Sequence, residues 1–371
     1  MPGPYDLTRE DLAGLLDGEP RYRVDQVWDG LHRRAVRPGE MTELPAPLRA
    51  RLEALSEFEP ALQEVARRTA DRGQTVKGQT VKGQTIKGQT IKWQWALADG
   101  SSIETVLMRY KDRTTVCVST QAGCAMGCGF CATGQAGFSR HLSCGEIVEQ
   151  VSEAIRAARP QRISNVVFMG MGEPLANYDQ VWAAITRLHD EFGISARHLT
   201  VSTVGIVPGI RRLAQEVLPV NLAVSLHAAN DQLRNQLVPI NRQWPLASLT
   251  EACRMYLATK GRRLSFEWAL IDRVNDRPGD AAELARLARS LRAHVNLIPL
   301  NPTPGFPTRG SSPAHIRAFQ TWLAEAGVNA TIRQNRGTDI DAACGQLAAG
   351  RPARPARPTP VALRGAFSGR G

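Results

Sequence analysis

No run of eighteen apolar residues occurs anywhere in these 371 residues, so no membrane span and no membrane partner are expected. The opening MPGPYDLTRE has neither a basic region nor an apolar one, which argues against a secreted precursor and for a cytoplasmic protein. Cysteine is scarce and odd in number, seven in all, and three of the seven fall within eight residues. A stapling framework would use an even, dispersed set, so reduced thiols are expected instead. Acid is short as well: 35 Asp+Glu face 46 Lys+Arg, a net charge of +11. That excess points toward a polyanionic partner, although many enzymes carry as much without one. What remains is an ordinary balance, 43% hydrophobic and 22% charged, which excludes disorder throughout and a collagenous fibre. The length suits about two domains.

Residues 1–70 read as short amphipathic helices, a small accessory domain expected to bind RNA. Val24, Val27, Trp28 and Leu31 recur at helical spacing, and residues 48–55 do the same. Arg21, Arg23, Arg33, Arg34 and Arg37 surround the first of these helices, either as a solvated face or as an RNA-facing one. Residues 71–103 form a linker in which GQTVK occurs twice and GQTIK twice before Trp93. A five-residue step turns a helix by about 140° and reverses the side of a strand, so Val76, Val81, Ile86 and Ile91 share no face in either. The copies read as a duplicated basic excursion, of which only the last, running into Trp93, needs to be ordered.

From 104 to 347, strand-like runs alternate with helical patterns. The runs are 115–119, 165–169, 199–202, 221–225, 265–271, 295–298 and 330–332. Two helices open with capping boxes, Ser143 with Glu146 and Ser248 with Glu251. Repeated strand–helix units predict an α/β fold with a parallel sheet closed or nearly closed into a barrel. Chemistry then belongs at the carboxyl ends of its strands. Residues 348–371 hold five Arg, four Pro and no acid, the composition of a disordered basic tail.

The strongest chemical signal is Cys124, Cys128 and Cys131, spaced C-x3-C-x2-C directly after the first barrel strand. Three thiolates in one loop can hold three irons of a cubane 4Fe–4S cluster and leave the fourth iron open. A structural zinc would want a fourth protein ligand, for which His141 and Cys144 are near enough in sequence. With Phe130 before the last cysteine, the motif resembles that of the radical S-adenosylmethionine superfamily. The resemblance implies a partial (β/α)6 TIM-like barrel and one 4Fe–4S cluster. Its open iron would chelate the amino and carboxylate groups of S-adenosylmethionine, and one electron would cleave that molecule to methionine and a 5′-deoxyadenosyl radical. Further polar residues stand at later strand ends: Gly172 and Glu173 in GMGEP, Ser202, the run Ser225-Leu226-His227, and Asn301. Singly, each is more often a satisfied polar group than a ligand. Together they ring one rim suited to ribose hydroxyls and a carboxylate, and the glycine–glutamate turn looks like the superfamily's motif for the amino group of S-adenosylmethionine.

Three further segments narrow the resemblance. CVSTQAG (117–123), NLIPLNP (296–302) and GTDIDAACGQL (337–347) are similar to the RlmN/Cfr family of rRNA adenosine methyltransferases, over most of residues 1–347. The pentapeptide copies and the tail depart from that family. The resemblance implies that one S-adenosylmethionine methylates Cys344 on sulfur. The radical from a second then takes a hydrogen from that methyl group, and the resulting carbon radical adds to adenine. Glu104 would accept the ring proton. Cys117 would then attack the sulfur of Cys344, releasing the base through a transient disulfide that a reductant resets. A carboxylate in a mostly apolar strand should have a raised pKa, which suits base work; the alternative is an edge-strand Glu facing water. Cys144 and Cys253 read as small buried hydrophobes. The implied substrates are C2 of adenosine 2503 in 23S rRNA and C2 of adenosine 37 in tRNAs. C8 methylation of the same rRNA adenosine shares every catalytic residue and stays open. A flavodoxin-type electron donor and a monomer are expected. A metal-bearing RNA-binding module without catalysis is a further reading. So is a thiol oxidoreductase on Cys117 and Cys344, although no C-x-x-C pair outside the cluster loop supports it.

Overall fold

The central strands are near-continuous apolar runs, NVVF at Asn165–Phe168 and NLAVS at Asn221–Ser225 among them, as a sheet covered on both faces requires. In the structure, a computed structural model that describes residues 3–71, 88–301, 303, 306, 309–333 and 346–347, they belong to one ten-stranded sheet. Helices α1 (Arg9–Leu15), α2 (Tyr22–His32) and α3 (Ala46–Glu53) come first. Strands β1 (Gln63–Asp71), β2 (Gln89–Ala96), β3 (Ser102–Arg109) and β4 (Thr114–Cys117) follow. A two-stranded ribbon, β5 (Gln121–Gly123) and β6 (Phe138–His141), encloses α4 (Ala132–Ala136) and leads to α5 (Cys144–Ala158). Then come β7 (Asn165–Phe168), α6 (Tyr178–Asp190), β8 (Leu199–Thr203), α7 (Val207–Gln215) and β9 (Asn221–Ser225). The chain continues through α8 (Asp231–Leu237), α9 (Leu246–Lys260), β10 (Leu264–Leu270), α10 (Pro278–Ser290), β11 (His294–Pro299), α11 (Pro313–Glu325) and β12 (Ala330–Ile332).

The strand order is β1-β2-β3-β4-β7-β8-β9-β10-β11-β12. From β4 to β12 every pairing is parallel, and β3, β2 and β1 extend the sheet antiparallel. Helices return the chain after β4, β7, β8, β9, β10 and β11, which makes six strand–helix units closed off by the short β12. β1 and β12 are the two edges, so the barrel is partial, as the alternation predicts. No helix among the described residues is long and apolar enough to cross a membrane.

Local rules explain most boundaries. Ser143 caps α5 through the full capping box with Glu146, and Ile147, Val148, Val151, Ala154 and Ala158 form its buried stripe. Pro160 forbids its continuation. The second box is corrected by the structure. α9 starts at Leu246 after Pro245, and Ser248 lies inside it without a cap bond. The reason is tertiary: Asp231 Oδ1 accepts the Leu246 N–H at 2.9 Å, so the helix start is satisfied from α8. The helical reading of residues 1–70 also fails at its end, since Gln63–Asp71 is a strand. Its partner β2, rather than its own periodicity, decides that. The last repeat copy, Gly88–Lys92, supplies the first half of β2, while the earlier copies and the basic tail lie outside the described residues.

The N-terminal helices share one continuous core with the barrel: Leu12, Trp28, Leu31 and Leu52 belong to the same buried cluster as Val148, Leu222 and Phe319. Their arginines are largely committed within the protein, Arg34 to Glu43, Arg37 to Glu153 and Arg33 to Asp29. The junction runs along α5. Asp6 accepts the Gly145 N–H at 2.7 Å and the Ser143 hydroxyl at 3.1 Å, where a side chain on Gly145 would collide with Asp6. Glu149, fully buried, accepts the N–H groups of Ala61 at 3.1 Å and Leu62 at 3.4 Å.

Burial pushes the Glu149 carboxyl up to about 8, against the pull of those two donors. A folded-state pKa above the unfolded value of about 4.3 means that the folded protein binds the extra proton. Stability present below that value is lost as pH rises toward 8. Thermal melts at pH 5, 6.5 and 8 should show a falling Tm, and Glu149→Gln should flatten that fall. Equal slopes in both proteins would refute the assignment.

Candidate active site

The barrel encloses a cavity of about 1000 Å³. Cys124, Cys128 and Cys131 line it from the loop after β5, and Cys117 from the end of β4. Gly172 and Glu173 line it after β7, Ser202 on β8, Ser225 and His227 at β9, and Asn301 after β11. Residues far apart in sequence therefore meet on one rim, at the carboxyl ends of successive strands.

The cysteine loop is shaped by the ribbon beneath it. The Cys124 N–H donates to Gly137 O at 2.9 Å, and the Cys131 N–H to Cys128 O at 3.2 Å. At Gly123, φ is +86° and a Cβ would sit 1.9 Å from Gly137 O, so only glycine lets the ribbon close there. Burial pushes the Cys124 thiol up to about 12 and Cys128 well above its ordinary value, with the neighbouring cysteines adding to both. Thiols so crowded and so poorly solvated favour a cationic centre that lets them ionise together. Among the described residues, no three Cys, His, Asp or Glu side chains converge where a single metal ion could sit. A tetrahedral zinc would need ligand atoms about 4 Å apart, whereas a cubane spreads three thiolates over three irons. The zinc reading's candidate fourth ligands also lie elsewhere. His141 Nδ1 faces Gln121 Nε2 at 3.0 Å, and Cys144 is buried at the start of α5, where its N–H donates to Gln180.

The rest of the rim is held by hydrogen bonds to backbone. Glu173 accepts the N–H groups of Leu175 at 3.0 Å and Val204 at 2.8 Å, joining the loops after β7 and β8; burial pushes its carboxyl up to about 7. Gln121 Oε1 accepts the Glu173 N–H at 2.9 Å, and at Gly172 (φ +103°) a Cβ would strike the Gln121 side chain. His227 sits at φ +59° with Nδ1 accepting the Ala269 N–H at 3.0 Å. Burial, with Arg234 nearby, pushes it down to about 3, so the ring is neutral with its proton on Nε2. Phe130 meets that ring edge-on at 4.7 Å. The Ser202 and Ser225 hydroxyls are 3.5 Å apart. The Leu226 side chain is buried in the core, away from the described cavity lining. Its N–H donates to Glu267 O and its carbonyl accepts Arg234 Nε, because strand alternation turns it away from its two neighbours.

Glu104 lies on an interior strand and is 4% exposed, which overturns the water-facing alternative. Its carboxylate meets Lys92 Nζ at 3.0 Å, both side chains buried. It shares a strand face with Val106 and Met108, which line the cavity, and Val106 pairs in register with Cys117. Cys344 lies outside the described residues. Leu347 lines the cavity, its carbonyl accepting the Thr133 hydroxyl.

Sequence reasoning missed Lys92, which read as one more repeat lysine, and also Arg234 and Asn275. Arg234 is fully buried and donates to Leu226 O at 3.1 Å, Val204 O at 2.5 Å and Asn241 Oδ1 at 2.6 Å. Asn275 Nδ2 donates to His227 O and Ala269 O, and its Oδ1 accepts the Ile271 N–H. Nothing local marks either residue, since both act on backbone brought close by the fold.

Residues 118–286 match the family model of the radical SAM superfamily. A relative from Frankia casuarinae is 50% identical over 96% of this chain and 85% of its own length. One from a Parafrankia strain is 51% identical over 94% and 92%. Both carry the name "Probable dual-specificity RNA methyltransferase RlmN". The crystal structure of a radical SAM methyltransferase from Sphaerobacter thermophilus matches with a TM-score of 0.84 at 48% identity, covering 94% of this chain and 100% of that one.

The Lys92–Glu104 pair generates a stability test. Lys92→Met leaves a buried carboxylate without its cation and should cost about 3–5 kcal/mol in urea unfolding. The double variant Lys92→Met/Glu104→Gln should regain most of that loss. A single variant within about 1 kcal/mol of the parent would show that the pair does not bear on folding.

Proposed function

This chain belongs to the RlmN family of radical SAM RNA methyltransferases, and from that membership we propose an enzyme that methylates C2 of adenosine 2503 in 23S rRNA and of adenosine 37 in tRNAs. One observation carries the reading: three thiols, a polar rim and Cys117 share one cavity, and Leu347, three residues after Cys344, lines the same space.

Cys124, Cys128 and Cys131 would hold a 4Fe–4S cluster. Gly172, Glu173, Ser202, Ser225, His227 and Asn301 would hold S-adenosylmethionine, with Leu226 contributing backbone only. When bound, the two together supply one-electron cleavage and a carbon-centred radical. The chain does the rest. Cys344 takes a methyl group on sulfur by displacement, losing its proton, and that carbon becomes the link to the base. Neutral His227 offers an Nε2–H donor and no positive charge, and Phe130 shields the ring from water. Glu104 accepts the proton from the ring carbon, with the Lys92 ammonium beside it. Cys117 thiolate then attacks the sulfur of Cys344: a sulfur–sulfur bond forms, the carbon–sulfur bond breaks, and its electron pair stays with the methylene carbon of the base, which takes up a proton to become the methyl group. A dithiol reductant returns both cysteines. A flavodoxin-type donor, a cytoplasmic setting and a monomeric enzyme complete the proposal. C8 methylation of the same rRNA adenosine is the alternative, and a 23S rRNA digest resolving 2-methyladenosine from 8-methyladenosine decides between them.

Cys117→Ala should still methylate Cys344 and then stop with RNA attached, seen as a denaturing-gel shift that ribonuclease collapses. Cys344→Ala should form no adduct, and the double variant should behave like it. Cys124→Ala, Cys128→Ala or Cys131→Ala should bind no cluster and form no 5′-deoxyadenosine. A Cys117→Ala protein that runs free of RNA while releasing methylated adenosine at the normal rate would overturn the resolving role.

A further inference from the structure

The cavity also reaches the amino-terminal ends of the strands, away from the cysteines. Arg113 directly precedes β4, Arg197 lies two residues before β8, Arg262 and Arg263 precede β10, and all four line the cavity. His294, the first residue of β11, lines it among them. The only acids among the described lining residues are Glu173, on the opposite rim, and Glu267, buried and hydrogen-bonded to Ser265 and Asn296. No lysine lines the cavity among the described residues.

These arginines have few internal partners, and Arg197 Nε donates only to the adjacent His198 Nε2, at 3.3 Å. Arg197 and Arg263 are exposed, and neither they nor Arg262 form an ion pair among the described residues. Arg262 reaches only Asn221 Oδ1, at 3.5 Å, and its Nε is buried without a partner. Arg113 stacks on Tyr110 at 4.2 Å, with one exposed acid, Asp112, at 3.8 Å. His294 is held below the usual imidazole range by burial first and then by the Arg263 cation, against a hydrogen bond to Asn296, with Arg333 adding a smaller push. Like charges gathered at one mouth repel each other, and an anion entering the mouth removes that cost.

We propose that the amino-terminal mouth of the barrel binds phosphate groups through Arg113, Arg197, Arg262 and Arg263. Guanidinium forks match phosphate oxygens two at a time, which separates an arginine ring from a lysine patch that acts only as point charge. Four cations in a concave mouth call for more charge than one carboxylate carries. Two sources share the chemistry, a free polyphosphate and the phosphodiester backbone of RNA. The RNA source rests on the RNA-methyltransferase reading; the free source does not.

The test uses the full chain and the variant Arg197→Gln/Arg263→Gln, two exposed positions outside the proposed machinery, with Arg197→Lys/Arg263→Lys as the charge-preserving control. Pyrophosphate binding is followed by calorimetry, and binding of an RNA hairpin is followed from 50 to 200 mM salt. Loss of at least tenfold in pyrophosphate affinity in the Gln variant, with partial retention in the Lys variant, supports the site and assigns the free source. An RNA salt slope that falls by roughly 0.7–0.9 per arginine removed, with no pyrophosphate binding, supports the site and assigns RNA. Unchanged pyrophosphate binding together with an unchanged RNA slope overturns the proposal. Methylation of Cys344 by the Gln variant, read by mass spectrometry, shows in that case that the enzyme reading still stands.

Discussion

Backbone groups at the carboxyl ends of parallel strands have lost the ladder that satisfies them lower down, and in a dry barrel each must find another partner. Much of this site follows from that demand. Arg234 gathers carbonyls from the ends of β8 and β9, Glu173 takes N–H groups from two loops, and Asn275 and His227 tie together the carboxyl ends of β9 and β10. Ser119 and Gln150 do the same above β4, Gln150 both accepting the Ser119 N–H and donating to its carbonyl. Side chains that shape the cavity are thus fixed by the backbone they satisfy. Glu173 and His227 cannot turn to a ligand without releasing an N–H.

That double duty shows in ionisation. Burial favours neutral His227 and a Glu173 carboxyl raised to about 7, so the rim adds little fixed charge. The strong fixed charges stand elsewhere: Lys92 beside Glu104 on paired strands β2 and β3, buried Arg234 beneath the rim, and the arginines at the opposite mouth. A cluster and its ligand in such a chamber would meet neutral donors at the rim, where unpaired charge would be most costly to bury.

Legibility in the sequence tracks how local the cause is. The strand runs and the Ser143 cap rest on residues a few places apart, and the structure agrees with them. β1 became a strand because β2 pairs with it, and α9 starts early because Asp231 reaches across from α8. Leu226 counted as a rim residue from its place between Ser225 and His227, yet alternation along the strand end turns it into the core. Arg234 looks like any helix arginine in NDQLRNQL until the strand ends it holds are brought beside it. Glu104 was legible as a carboxylate in an apolar strand, but its cation was not, since Lys92 has three lookalikes within the repeats, Lys77, Lys82 and Lys87.

The repeats illustrate how register protects that cation. Lys92 pairs opposite Val106 and Gln94 opposite Glu104, so β2 is placed from Trp93 backward by its ladder with β3. On its other side β1 pairs Asp71 with Gln89. Both ladders are anchored downstream of Gly88, and a whole copy added or lost upstream changes only the length of chain joining two paired ends. The entropy of closing such a connection grows with the logarithm of its length, about 0.6 kcal/mol for each doubling. A single residue inserted between Lys92 and Trp93 would be a different matter, since it would move Lys92 one place along β2 and turn it to the other face of the sheet. Duplication by whole copies of GQTIK avoids that slip because the final copy always ends in the same Lys ahead of Trp93. The segment can therefore expand without disturbing the buried Lys92–Glu104 pair.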